Sequence, residues 1–239
     1  MKLKLVKKDL EAVGTKSFFW EPENQVSYLP GQYYYFTLPE LKYPDPRGAT
    51  RHFTISSSPT EGNILRFTTK IREESGFKKT VDELEIGSVI EGEGPNGTFI
   101  LDDKDMGPHI FIAGGIGITP FRSMIKNVCD KNLMTEICLI YSNSTPEEIT
   151  FRKELEVLSL SHKNIKVDFT VSHPEESAEK WDGNIGRIDE NLIKNLVPDI
   201  AKPTWWICGP PPMIDGVEAV LGKLNISTGR VKTEKFTGY

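Results

Sequence analysis

Cysteine is scarce in this sequence, and long apolar runs are missing altogether. The 239 residues include three cysteines, Cys129, Cys138 and Cys208, which are too few and too widely spaced for a disulfide framework. They also exclude an iron–sulfur cluster within the chain, because such a cluster needs four neighbouring thiolates. No segment approaches the ~20 apolar residues of a membrane-spanning helix, so we expect no membrane span. Free cysteines favour a reducing compartment, and we predict a cytoplasmic protein.

A strong charge of one sign is also absent. The net charge is −5, the isoelectric point lies near 5.5, and the basic residues are scattered among acidic ones. A nucleic-acid-binding protein would carry a basic stripe, so we predict no nucleic-acid partner. The start, MKLKLVKKDL, alternates in polarity and lacks the apolar core and cleavage site of a signal peptide, which predicts a first strand.

The first hundred residues have the pattern of an all-β domain. Short runs of alternating polarity are separated by glycine- and proline-containing turns, which is typical of a small antiparallel β-barrel. The predicted strands lie at 3–6, 17–20, 32–38, 52–56, 65–71 and 89–93.

After a polar segment at 102–108 the pattern changes to alternating strands and helices. This alternation predicts an α/β domain with a doubly wound parallel sheet, and we place the two domains at 1–103 and 107–239. The predicted strands are 109–113, 136–141, 165–171 and 204–208, and the predicted helices are 120–129, 146–158, 189–196 and 213–224.

Three short segments carry the candidate chemistry. RHFTISSSP (51–59) offers a cation, an aromatic ring and hydroxyls, which suit a planar phosphorylated ligand such as a flavin nucleotide but also an ordinary amphipathic strand. GGIGITP (114–120) lies between a strand and a helix, where glycines let the backbone approach a pyrophosphate; a tight turn without ligand has the same pattern. CGPPPM (208–213) follows a strand of the parallel sheet, at the end where ligands bind.

In this order and at this spacing, the three segments resemble the motifs of the ferredoxin–NADP⁺ reductase superfamily, over nearly the whole chain. The resemblance implies an FAD-binding antiparallel β-barrel followed by an NAD(P)-binding α/β domain. It also implies an FAD-dependent NAD(P)H oxidoreductase, similar to ferredoxin and flavodoxin reductases, in which hydride passes between NAD(P)H and FAD. FMN is the less favoured flavin, and no metal site is expected.

The resemblance assigns roles on the flavin side. Arg51 would pair with a flavin phosphate, Phe53 would stack on the ring system, and Thr54 would bond at its N5 atom, while His52 would be a spectator. Residues 76–80, before a predicted helical turn at 81–84, would receive the pyrophosphate. Phe236 or Tyr239 would cover the other flavin face. The flavin-binding set is Arg51, Phe53, Thr54, Ser57, Thr69, Lys70, Gly76, Lys78, Thr80 and Phe236.

On the nicotinamide side, Cys208 would orient the ring for hydride transfer, although a buried small hydrophobic residue is the ordinary fate of a free cysteine. Glu234 would polarise Thr54 or relay a proton. The catalytic set is therefore Thr54, Cys208 and Glu234. The nucleotide-binding set is Gly114, Gly115, Gly117, Thr119, Pro120, Ser142, Cys208, Gly209, Pro210 and Met213.

The nucleotide and the acceptor remain open at this point. A 2′-phosphate needs cations, whereas the expected positions hold Ser144 and the neutral or weak segment 171–173, which favours NADH over NADPH. The electrons would pass to a separate ferredoxin, flavodoxin, cytochrome or oxygenase component. Two alternatives are the reductase component of an oxygenase or haem-protein system and a non-catalytic nucleotide-binding subunit for electron transfer.

Overall fold

The computed structural model describes residues 1–237, and its first half is a curled antiparallel sheet. Six strands lie in the order β4-β3-β6-β1-β2-β5. The two edge strands meet where Ile55 bridges to Phe67 and the Ser56 amide donates to the Arg66 carbonyl at 2.7 Å, which confirms the predicted barrel. The strands are β1 (Lys2–Ala12), β2 (Thr15–Pro22), β3 (Tyr33–Thr37), β4 (Thr50–Thr54), β5 (Leu65–Lys70) and β6 (Val89–Asn96).

Helix α1 (Gly76–Glu83) packs against the aromatic core of the barrel through Phe77 and Val81, both of which are fully buried. The Ser75 hydroxyl caps this helix by accepting a hydrogen bond from the Lys78 amide. The predicted helical turn at 81–84 is confirmed as the last part of this helix, but its predicted start was wrong, because the cap starts the helix five residues earlier. Residues 76–80 belong to the helix and are not a loop before it.

The second half is a parallel sheet between two layers of helices, in the strand order β10-β9-β8-β7-β11-β12. Separate hydrophobic clusters lie on its two faces, as expected for a doubly wound sheet. The strands are β7 (His109–Gly114), β8 (Ile137–Asn143), β9 (Ile165–Val171), β10 (Asn184–Ile185), β11 (Thr204–Gly209) and β12 (Val231–Lys235). The helices are α2 (Ile118–Asp130), α3 (Arg152–Ser161), α4 (Glu190–Leu196) and α5 (Pro211–Lys223).

The four predicted strands of this half are confirmed, whereas β10 and β12 were not predicted. The chain between the two sheets does not separate them cleanly, since Phe99 and Leu101 pack in the core of the second half. The domain limits at 103 and 107 therefore stay a prediction. None of the helices in residues 1–237 is both long and apolar enough to cross a membrane.

A buried cation in α2 joins the two halves. The Arg122 side chain is 2% exposed, and its guanidinium donates to the Ser56 carbonyl of the barrel at 2.9 Å. The same group forms ion pairs with Glu61 of the barrel and Glu154 of α3. Burial alone would raise the pKa of Glu61, but the hydrogen bond and charge of Arg122 outweigh burial and lower it. The position of one half on the other therefore depends on a charge that needs both carboxylates.

We predict that Arg122→Ala lowers the free energy of unfolding by about 2–3 kcal/mol, because two partly buried carboxylates lose their counter-charge. Urea denaturation at neutral pH measures the change. Lys126→Ala, which removes a more exposed ion pair with Asp130 on the same helix, is the control and should cost less than about 1 kcal/mol. Equal losses in the two variants would contradict the role of Arg122.

Candidate active site

A cleft of about 510 Å³ lies at the carboxyl ends of the parallel strands, between the two halves. Ligands of doubly wound proteins bind at this edge, where loops from neighbouring strands converge. The barrel contributes Thr15, Lys70 and Arg72 to the lining, and the parallel sheet contributes Gly114, Gly115, Ile116, Ser142, Ser144, Ser172, Arg187, Pro210, Met213 and Phe236, among others.

The glycine loop after β7 is shaped for a close backbone approach. Gly115 has a φ of +51°, and a side chain built there would have no protein atom within 4 Å, so its backbone faces open space. A Cβ at Gly117 would lie 2.2 Å from the Cys208 carbonyl oxygen, and only glycine fits there. The loop of 114–120 and the segment of 208–213 are thus in contact. The Tyr141 hydroxyl holds the loop by donating to the Gly115 carbonyl at 2.9 Å.

Three further residues that were predicted to contact the nucleotide pack inside the protein. Thr119 is 2% exposed, and its hydroxyl donates to the Ile116 carbonyl at 3.1 Å at the start of α2. Pro120 is buried in the first turn of that helix. Gly209 packs its backbone against Gly114, where a Cβ would lie 3.2 Å from the carbonyl oxygen. The direct roles of these residues at a nucleotide stay a prediction.

Cys208 and Glu234 are paired residues of the neighbouring parallel strands β11 and β12. The Cys208 thiol donates to Glu234 Oε2 at 3.9 Å. Complete burial, and then the charge of Glu234, raise the pKa of this thiol well above its ordinary value. The raised pKa favours the protonated thiol, as in other buried cysteines. Burial also raises the pKa of Glu234 to about 7, so this carboxyl can exchange a proton near neutral pH.

The backbone after β12 brings an aromatic ring to the cleft. The Phe236 amide donates to the Gly209 carbonyl at 3.0 Å, and its half-buried side chain lines the cleft beside the glycine loop. This position agrees with the predicted cover over a flavin, although that contact itself stays a prediction. Tyr239, the alternative ring, lies outside the described residues.

The two faces of β4 carry different aromatic residues, and the one predicted to stack on the flavin faces the barrel core. Phe53 is 5% exposed and faces the barrel core, where its ring lies parallel to that of Phe67 at 4.3 Å. On the opposite face, the exposed His52 ring lies 5.2 Å from Tyr33 and 5.7 Å from Tyr35. His52 was predicted to be a spectator, but it forms an aromatic face with Tyr33 and Tyr35, opposite the barrel core, because side chains alternate along a strand. We call this surface the open aromatic face. Stacking of Phe53 on a flavin stays a prediction.

The open aromatic face continues toward the Cys208–Glu234 pair. Tyr33 is paired with Thr54 across the two strands. A hydrogen bond to Tyr35, then partial burial and the charges of Tyr35 and Glu234, raise the pKa of Tyr33. Tyr33 and Tyr35 were not singled out from the sequence, although their alternation in QYYYF indicated that they share one face.

Three barrel residues that were predicted to contact the flavin are hydrogen-bonded, ion-paired or buried in the structure. The Ser57 hydroxyl donates to the Ile64 carbonyl at 2.9 Å inside the barrel. Lys70 lines the cleft and pairs with Glu148 of the other half at 2.7 Å. The Thr69 hydroxyl is buried and has no hydrogen-bond partner in residues 1–237. Of the three, only Lys70 lines the cleft.

A cationic cluster surrounds the start of α1, where the flavin phosphates were expected. Lys78 is 6% exposed, and burial, followed by the charges of Arg72, Arg47 and Arg51, lowers its pKa to about 8. Such an excess of positive charge fits an anionic ligand. Thr80, by contrast, uses its hydroxyl inside the fold, donating to the Gly76 carbonyl at 2.8 Å.

Known proteins resemble both halves of the chain. An oxidoreductase FAD-binding domain model matches residues 2–100, and an oxidoreductase NAD-binding domain model matches residues 111–219. The glycine betaine monooxygenase reductase subunit of Chromohalobacter salexigens is 29% identical over 87% of this chain and 56% of its own length. The anthranilate 1,2-dioxygenase electron transfer component of Acinetobacter baylyi is 28% identical over 89% of this chain and 59% of its own length.

A solved structure confirms the arrangement of the two domains. The FAD/NAD-binding domain of nitric oxide dioxygenase from Vibrio cholerae superposes with a TM-score of 0.84 at 19% identity, covering 98% of each chain. The chain spans a little over half the length of the curated relatives described above. The two domain matches and this shared fold show that the chain belongs to the ferredoxin–NADP⁺ reductase superfamily, as an FAD-binding domain followed by an NAD-binding domain.

Proposed function

We propose that this protein is an FAD-dependent NAD(P)H oxidoreductase that delivers electrons to a separate acceptor. The observation that carries the proposal is the cleft between the two domains, in which the glycine loop, the segment after β11 and Phe236 converge. A bound flavin would accept two electrons from the nicotinamide and release them to the acceptor. The protein itself supplies binding, orientation and electrostatics.

The glycine loop and the N-terminus of α2 are suited to the pyrophosphate of the nucleotide, since Gly115 leaves its backbone open to the cleft. The protonated Cys208 thiol is fully buried at the end of β11, two residues before Pro210 of the cleft lining, and would be a small, uncharged neighbour of a nicotinamide ring bound there. Glu234 holds a proton or a negative charge beside that thiol, depending on pH. Phe236 adds an aromatic surface to the lining of the cleft.

The acceptor belongs to the proposal as a class. Two relatives are named as the reductase or electron transfer component of an oxygenase, and another, from Aspergillus oryzae, as an NADH-cytochrome b5 reductase. These names favour an oxygenase component or a cytochrome as the acceptor, with ferredoxin or flavodoxin as the alternative. Because the three cysteines are too few for a cluster, the next redox centre lies outside these 239 residues.

We expect the FAD-loaded protein to lose its flavin absorbance within seconds when NADH is added without oxygen. Cys208→Ser should slow this reduction about tenfold while changing the nucleotide Kd less than about twofold, because the thiol orients the ring and does not anchor the nucleotide. Anaerobic stopped-flow spectroscopy measures both quantities. If neither NADH nor NADPH reduces the flavin of the wild-type protein, the result would support the non-catalytic alternative and contradict the proposal.

The ionisation of Glu234 gives a second expectation. A carboxylate beside the nicotinamide stabilises the positive charge that develops there, so flavin reduction should accelerate as pH rises through about 7. Glu234→Gln should be slow and independent of pH.

Folding stability provides an independent readout for Glu234. Because its pKa rises from 4.5 to about 7 on folding, its ionisation destabilises the folded protein increasingly across that interval. Glu234→Gln should therefore raise the melting temperature at pH 8 and leave it unchanged at pH 4.

The rate experiment has its own contradicting outcome. If flavin reduction by the Glu234→Gln protein still accelerates as pH rises through about 7, Glu234 has no part in the reaction.

The preference for NADH over NADPH stays a prediction, and the position of Arg187 in the cleft gives a way to test it. This exposed cation lines the same cleft as Ser144 and Ser172, the positions expected near a 2′-phosphate. We expect wild-type kcat/KM to favour NADH, and Arg187→Ala to lower the value for NADPH about tenfold more than the value for NADH. Steady-state rates with both nucleotides test this expectation. A parallel loss for both nucleotides would contradict it.

A further inference from the structure

The loop at 42–48, between β3 and β4, covers the N-terminal end of α1. The Pro44 carbonyl oxygen lies so close to Gly76 that a Cβ there would be 2.3 Å away. The Lys42 amide donates to the Thr80 hydroxyl at 3.1 Å, and the Tyr43 hydroxyl donates to Glu83 at 2.6 Å. The loop is thus attached along the whole length of the short helix.

Asp45 reaches from this loop into the place expected for a flavin phosphate. Its carboxylate accepts hydrogen bonds from the Phe77 amide at 3.0 Å and from the Ser75 hydroxyl at 3.2 Å. It also pairs with Arg51 Nη2 at 2.5 Å, and its side chain is 4% exposed. A guanidinium and amides at the start of a helix are the groups that bind a phosphate. The carboxylate therefore uses the same donors as a phosphate would.

Several cations lie close to this carboxylate. The charges of Arg72, Arg47 and Arg51 act on Lys78, and the charge of Arg47 also acts on Arg51. A phosphate or pyrophosphate carries more negative charge than Asp45 and would interact more strongly with this group of cations. Flavin phosphate and Asp45 are consequently competitors for one set of donors.

We propose that Asp45 lowers the affinity of this protein for phosphorylated flavins, by occupying the phosphate site of FMN and FAD with its own carboxylate. The proposal rests on the proposed function, which requires a flavin in the barrel. Riboflavin has no phosphate and does not meet this competition. FMN and FAD must displace the carboxylate, so their affinity is lower than the cationic cluster alone would give, and the flavin exchanges more readily.

The test compares riboflavin, FMN and FAD as ligands of the full-length protein freed of flavin. Quenching of flavin fluorescence gives each Kd for wild type, Asp45→Asn and Asp45→Ser, and circular dichroism verifies that each variant is folded. We expect both substitutions to tighten FMN and FAD about tenfold, because the competing charge is lost. The riboflavin Kd should change less than about twofold.

Glu83→Gln is the matched control. It weakens the attachment of the same loop at the other end of α1 without changing the charge at Arg51. An equal tightening of FMN in this variant would overturn the proposal, since loop mobility would then explain the effect. Weaker FMN and FAD binding in the Asp45 variants, or the same change for all three flavins, would also overturn it.

The outcomes separate this proposal from the proposed function. Wild-type protein that binds riboflavin, together with Asp45 variants that leave FMN and FAD unchanged, would overturn only the role of Asp45. Protein that binds none of the three flavins in any variant would overturn the proposed function and the role of Asp45 together.

Discussion

The buried guanidinium of Arg122 fixes how the two domains face each other. A cation that is 2% exposed cannot remain without counter-charge, and its partners come from both halves of the molecule. The barrel contributes Glu61 and the Ser56 carbonyl, and α3 contributes Glu154. The cleft is seen in a domain orientation that satisfies all three. A structural charge in the domain interface is thus a condition for the site beside it.

Within that orientation, strand geometry assembles the site. Parallel strands end at the same edge, which places the loops after β7 and β11 in contact and sets Cys208 beside Glu234. Burial then changes the chemistry of these side chains, since it keeps the thiol protonated and gives the carboxyl a pKa of about 7. The sequence contains the residues of the site, and their burial in the fold sets the protonation states of Cys208 and Glu234.

Periodicity and turn residues predicted both sheets, because burial on one or two faces leaves a direct record in the sequence. The start of α1 could not be predicted, because Asp45 and Ser75 complete its N-terminus and Asp45 lies in a distant loop. The short strand β12 is an exposed, polar edge strand without such a record. Arg187 reaches the cleft from a segment outside every motif, and only the folded chain reveals it.

The most direct test is a crystal structure of the protein with FAD and NAD⁺ bound. The account predicts nucleotide phosphates at residues 115–118, a nicotinamide ring beside Cys208 and Glu234, and a flavin that enters the same cleft from the barrel. Nucleotide bound on another face of the parallel sheet, or a flavin outside the cleft, would contradict it.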